Sequence, residues 1–78
     1  NNIENSLLVR EYWKALVYMT IDQNELAFKS IEKGLNDKSA RQEEKKFLNL
    51  ALIQYYINDK NYDKSVKSLI EFLTSSND

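Results

Sequence analysis

The side chains best placed in this chain to do chemistry are the carboxylates of two short polar stretches, Asp59-Lys60-Asn61-Tyr62-Asp63 and Glu43-Glu44-Lys45-Lys46. Asp59, Asn61 and Asp63 alternate as oxygen ligands do at the start of a calcium-binding loop. Such a loop also needs a glycine to turn the backbone around the ion and a distal bidentate glutamate, and neither completes the pattern here. Glu43 and Glu44 would suit paired acid–base work. At the polar start of a helix, next to two lysines, their simpler role is to favour the helix dipole and to exchange ion pairs with the next turn. The chain has no histidine and no cysteine. It therefore lacks the commonest general base, thiolate nucleophiles and the usual transition-metal ligands. Ser30 and Ser68 have no base to activate them. A single glycine leaves no phosphate-cradling loop. These residues predict no catalytic group, no cofactor site and no metal site, so the chain reads as a non-enzyme.

The elements that carry these residues are plain from composition and periodicity. The 78 residues are 42% hydrophobic and 29% charged, with a formal net charge of −1 and acids and bases interspersed. That is enough apolar content for one small packed domain, near the size at which a single core just suffices. No basic stripe exists to neutralise phosphates, which argues against nucleic acid. No apolar run approaches the ~20 residues that span a bilayer, so no membrane insertion of this segment is expected. The chain starts Asn1-Asn2, and we read it as a segment of a longer protein, residues 5–76 forming its helical domain.

With no proline and only Gly34, little interrupts a helix, and apolar residues recur three and four apart throughout. A first helix is expected from Asn5 to Asp22, with Val9, Trp13, Leu16, Val17 and Thr20 inward. Asn24 is a good N-cap for a second, with Ala27, Phe28, Ile31 and Leu35 inward. Ser39-Ala40-Arg41-Gln42 fits a capping box that would start a third. This third helix is apolar almost all round, from Phe47 to Ile57, so other helices must cover it on two or three sides. Asn61 should cap a fourth, with Tyr62, Val66, Leu69, Ile70, Phe72 and Leu73 inward, fraying from Thr74. Trp13 and Tyr56 are expected to be buried. Tyr12 and Tyr18 flank the Trp13 stripe and suit either packing or a partner. The fold class is thus all-α, four helices in two antiparallel pairs.

An internal repeat is visible at an offset of 38 residues, which pairs Ala27 with Ser65, Phe28 with Val66, Ile31 with Leu69, Gly34 with Phe72 and Leu35 with Leu73. Repeat one spans about 7–37 and repeat two about 40–76. The second unit, LNLALIQYYINDKNYDKSVKSLIEFL, resembles a tetratricopeptide repeat. Leu52, Ile53 and Tyr56 stand at its first-helix positions, Lys60-Asn61-Tyr62 at its turn, and Ser65 at the first small position of its second helix. On that reading Tyr62 wedges between the two helices. Lys60 replaces the usual glycine, which requires either another turn geometry or a left-handed non-glycine residue. Phe72 replaces the usual alanine, and no closing proline follows. The first unit, EYWKALVYMTIDQNELAFKSIEKGL, keeps Ala27 and Gly34 but has Asn24 for the turn tyrosine. With Trp13, Leu16, Val17 and Thr20 at its packing positions, its turn would be two residues shorter.

The resemblance implies a right-handed superhelix of helix pairs; a plain four-helix bundle is the alternative. It also implies a protein–protein interaction module, a scaffold or adaptor, binding a protein or peptide on its concave face. That groove would be built from Glu11, Lys14, Tyr18, Phe47, Leu50, Gln54 and Ile57. The alternative function is a structural homodimerisation domain. Two units without a polar capping helix leave apolar faces to be covered by further repeats, another protein or a second copy.

Overall fold

The computed structural model describes residues 7–76, with side chains over residues 9–74. Four helices follow one another: α1 (Leu7–Thr20), α2 (Asn24–Leu35), α3 (Gln42–Asn58) and α4 (Tyr62–Ser76), with no strand among the described residues. Asn5, where the first helix was expected to begin, lies outside them. The third helix starts later than Ser39 because Ser39 is otherwise engaged. Its backbone N–H and its hydroxyl both donate to Asp37 Oδ1, at 3.0 and 2.8 Å. These bonds hold the Asp37 carboxyl below its ordinary pKa. The helix instead begins after Arg41, whose N–H donates to Glu44 Oε1 at 3.1 Å. The fourth helix continues through Thr74 to Ser76, where fraying was expected.

Three contacts fix the helix directions. Glu11 near the start of α1 pairs with Lys33 near the end of α2. Phe28 early in α2 meets Tyr55 late in α3, ring centroids 5.1 Å apart. Ser65 early in α4 donates its hydroxyl to the Ile53 carbonyl late in α3, at 3.1 Å. Consecutive helices are therefore antiparallel. Tyr12 and Phe47 meet 5.9 Å apart, both in the first halves of their helices, so α1 and α3 run parallel. The third helix is covered by α1, α2 and α4, as its apolar composition required, whereas among the described helices α4 packs on α3 alone. The array is thus open: α4 does not return to α1 to close a bundle.

The two tight turns are copies of each other at the repeat offset. Gln23 N–H bonds the Tyr18 carbonyl at 2.7 Å and Asp22 N–H the Met19 carbonyl at 3.2 Å. Thirty-eight residues on, Asn61 N–H bonds the Tyr56 carbonyl at 2.9 Å and Lys60 N–H the Ile57 carbonyl at 3.0 Å. Each is a Schellman helix end, which needs a left-handed residue just past the helix. Asp22 and Lys60 fill that place, with φ of 66° and 61°. Glycine's usual position is therefore held by two residues that each carry a Cβ clash. The turns are also equal in length, so the shorter first turn expected from the Trp13 register is not present.

That register is the main correction. The buried face of α1 is Glu11, Ala15 and Met19, with Tyr12 and Leu16 packed beside them. Trp13 is 60% exposed, Val17 and Thr20 are exposed too, and Val9 is half-buried. The reason is helix approach: Ala15, Ala27 and Ala51 all lie in the core, and only small side chains there let three helices meet closely. Ile31 and Leu48 are the largest fully buried side chains. The predicted stripe of α2 faces inward, Ala27 and Ile31 buried, Phe28 and Leu35 half-buried.

In α4 the predicted face is turned out. Tyr62 is 59% exposed, and Val66, Leu69, Ile70 and Leu73 are exposed with it, while Phe72 is half-buried. Small Ser65 is buried against α3, its hydroxyl bonded to the Ile53 carbonyl, while the Tyr62 ring stays out in solvent and does not wedge between the helices. Asn61 does cap α4, its Oδ1 accepting the Lys64 N–H in a long bond of 3.5 Å. Tyr56 is half-buried, with Lys64 Nζ 5.9 Å from its ring centroid. Asn24 is the first residue of α2 rather than its cap; Gln23 precedes the helix and makes no side-chain cap bond.

Candidate functional site

The seam between the parallel helices α1 and α3 carries a row of exposed large side chains, Trp13 at 60% and Phe47 at 56% among them. Spacing explains why. Trp13 and Val17 of α1 lie on the far side of the helix from the Glu11–Ala15–Met19 stripe that meets α2, and Ile21 in the turn that follows continues the four-residue spacing. In α3, Phe47, Leu50, Gln54 and Ile57 recur at three and four along one face, bordering buried Ala51, and all four are exposed. The two faces meet along the seam through Tyr12, whose ring contacts Phe47 and also Trp13, 5.6 Å away and edge-on at 74°.

Two hollows lie along this seam. One, about 390 Å³, is lined by Val9, Tyr12, Trp13 and Phe47, with Arg41, Glu43 and Glu44 at its edge. The other, about 560 Å³, lies further along, between Trp13, Leu16, Val17 and Thr20 of α1 and Gln54 and Asn58 of α3. Trp13 borders both. Gln54 Nε2 donates to Asn58 Oδ1 at 3.3 Å, which holds the polar end of the second hollow in place.

The seven residues expected to form a groove fall into two sets. Phe47, Leu50, Gln54 and Ile57 share the exposed face of α3 just described. The three from α1 do not join them. Glu11 is only 2% exposed, with its carboxylate turned toward α2, 3.5 Å from Lys14 Nζ and 3.9 Å from Lys33 Nζ. Lys14 is exposed but drawn to the same side by that pair. Tyr18 is half-buried, packed against the core cluster. Their places in the seam are taken by Trp13, Val17, Thr20 and Ile21, which sequence reasoning had mostly assigned to the core. One signal was present: Tyr12, Ala15, Leu16 and Met19 form a second apolar stripe, and it contains the small residue that close helix packing requires.

The site holds little acid–base chemistry. Tyr55, behind the seam, has its phenol pKa raised, first by burial and then by the neighbouring Asp59, Tyr56 and Glu25. Among the described residues, no group of three or more Asp, Glu, His or Cys could hold a metal ion, and no helix is long and apolar enough to cross a membrane. What the arrangement can do is present an apolar, aromatic strip with polar ends to another molecule. Comparison with protein-family models, with curated proteins and with solved structures finds no match to this chain.

Proposed function

We propose that this chain is a non-catalytic protein–protein interaction module, a scaffold or adaptor of tetratricopeptide-like helix pairs, which receives a peptide or helix along the α1/α3 seam. The observation that carries this reading is the row of exposed large apolar side chains, Trp13, Val17, Phe47 and Leu50, between two parallel helices. Aromatic and aliphatic anchors in a concave seam are what binding hot spots are made of. The repeated Schellman turns and the open array support the helix-pair reading, and the right-handed superhelix is proposed with it. The test is a photo-crosslinking map in the native host, with the crosslinker at Leu50, Gln54 or Val17 in one set and at Lys29 or Lys67 in another. Partner adducts are expected from the first set. Adducts confined to Lys29 and Lys67, on α2 and α4, would refute the seam.

A second reading, structural homodimerisation, has its own support in the bare stripe of α4, where Tyr62, Val66, Leu69, Ile70 and Leu73 are all exposed. A stripe of that kind on two copies is self-complementary across a two-fold axis. Sedimentation over a wide concentration range separates the readings. A dimer abolished by Leu69→Lys supports this one, and a monomer at all concentrations leaves the seam as the working surface.

A further inference from the structure

We propose that the hollow at the start of the α1/α3 seam is an aromatic cage for a quaternary ammonium group. Three rings border it. Trp13 and Tyr12 are edge-to-face at 5.6 Å, and Tyr12 and Phe47 are edge-to-face at 5.9 Å. Rings set at steep angles to one another form the walls of a box, and the faces of such rings attract cations through their quadrupoles. Trp13 and Phe47 are more than half exposed, so both rings are accessible.

The rim selects the sign of the guest. Glu43, Glu44 and Arg41 stand around the opening, two carboxylates against one guanidinium. Arg41 Nε lies 3.6 Å from Glu44 Oε1, so that pair is satisfied internally. Glu43 makes no ion pair among the described residues, and its charge is left to the guest. The cation recorded over a ring among the described residues is Lys64 on Tyr56, on α4 and away from this hollow.

The walls select the kind of cation. The lining is mostly ring and aliphatic carbon, with few acceptors. A primary ammonium held among the rings would give up strong hydration, with hydrogen bonds to regain only from the carboxylates at the rim. A permethylated ammonium has no N–H to satisfy and presents methyl groups to the rings. A divalent metal would need a set of oxygen ligands that the described residues do not assemble. The ammonium could belong to a free small ion such as choline or to a trimethylated lysine in a peptide. The proposal stands whether or not the rest of the seam binds a partner.

The chain has one tryptophan, so its fluorescence reports from the cage itself. Titration of the whole chain with tetramethylammonium and with choline should change Trp13 emission saturably. The neutral alcohol in which carbon replaces the choline nitrogen should bind roughly tenfold more weakly or worse. Glu43→Gln should weaken tetramethylammonium several-fold. Arg41→Gln should tighten it, because a competing cation is removed while the backbone N–H that bonds Glu44 is kept. Trp13→Ala, checked for folding by circular dichroism and for binding by line broadening of the probe's methyl signal, should abolish it. A trimethyl-lysine peptide that binds more tightly than choline would assign the group to a peptide lying on the seam; equal affinity would assign it to a free ion. No saturable response to tetramethylammonium would overturn the cage. So would equal binding of the neutral alcohol, which would make the hollow merely apolar.

Discussion

The second and fourth helices stand at the same place in two copies of one helix pair, yet only one of them is finished. Both follow a Schellman end with a left-handed non-glycine residue, and both bring a small residue, Ala27 or Ser65, against the preceding helix. On α2 the next stripe, Phe28, Ile31 and Leu35, is covered by α3, and Ile31 is fully buried. On α4 the equivalent Val66, Leu69 and Leu73 have no second described helix to cover them and are exposed, Leu69 at 42%. The residue types are nearly the same, so burial is set by what packs next to the stripe and not by the stripe. An apolar side chain contributes its full ~1.5–3 kcal/mol only when another element removes it from water.

The sharpest way to break this comparison is a pair of equivalent truncations. Ile31→Ala should destabilise the chain by roughly 2–5 kcal/mol, the range for a buried aliphatic that leaves a cavity. Leu69→Ala, at the repeat-related position, should cost under about 1 kcal/mol, as surface changes do. Urea unfolding of the isolated chain measures both. A Leu69→Ala loss as large as that of Ile31→Ala would show that α4's stripe is covered in solution.

A smaller effect tests the likeness of the turns. Lys60→Gly should stabilise by about 1 kcal/mol, because glycine takes the left-handed conformation without a Cβ clash, less its greater unfolded-state entropy. Asp22→Gly should gain less, since aspartate tolerates that conformation better than lysine. The two midpoint shifts, compared in one denaturant series, check the order. Equal gains would mean that φ alone does not set the strain.

The smallest effect sharpens the covered interface. Tyr55, stacked against Phe28, has a folded pKa above its unfolded value of about 10. A phenol raised in this way contributes stability that is fully present below the unfolded pKa and is lost as pH rises through the folded one. Thermal melts from neutral to strongly alkaline pH should show this loss, and Tyr55→Phe should diminish it. An alkaline limb identical in the variant would mean that the α2/α3 interface tolerates the phenolate.

Much of this was open to reading from the chain. The residue types named an all-α protein, because one glycine and no proline leave nothing to interrupt helices. The apolar girth of α3 announced that it would be covered on several sides, and α1, α2 and α4 do cover it. The offset of 38 residues was visible, but the first turn was expected to be shorter and is not; of the two geometries left open for Lys60 in glycine's place, the left-handed one is found. The candidate site was legible on α3, where Phe47, Leu50, Gln54 and Ile57 share a face, and illegible on α1.

The difference has one physical cause. Periodicity states which side chains share a helix face, and that is a local property of 3.6 residues per turn. When a helix offers two apolar faces, the choice between them depends on how closely its neighbours can approach. For α1 the face with small Ala15, which shares the buried core with Ala27 and Ala51, was taken inward, with Glu11 turned in and Trp13 out. For α4 it was that, among the described helices, α3 alone packs against it. The sequence by itself determined that the chain forms four helices and where they approximately lie, because helix formation depends on residues within a few turns. Which apolar faces became core and which became surface was decided by tertiary packing, because burial is a relation between helices.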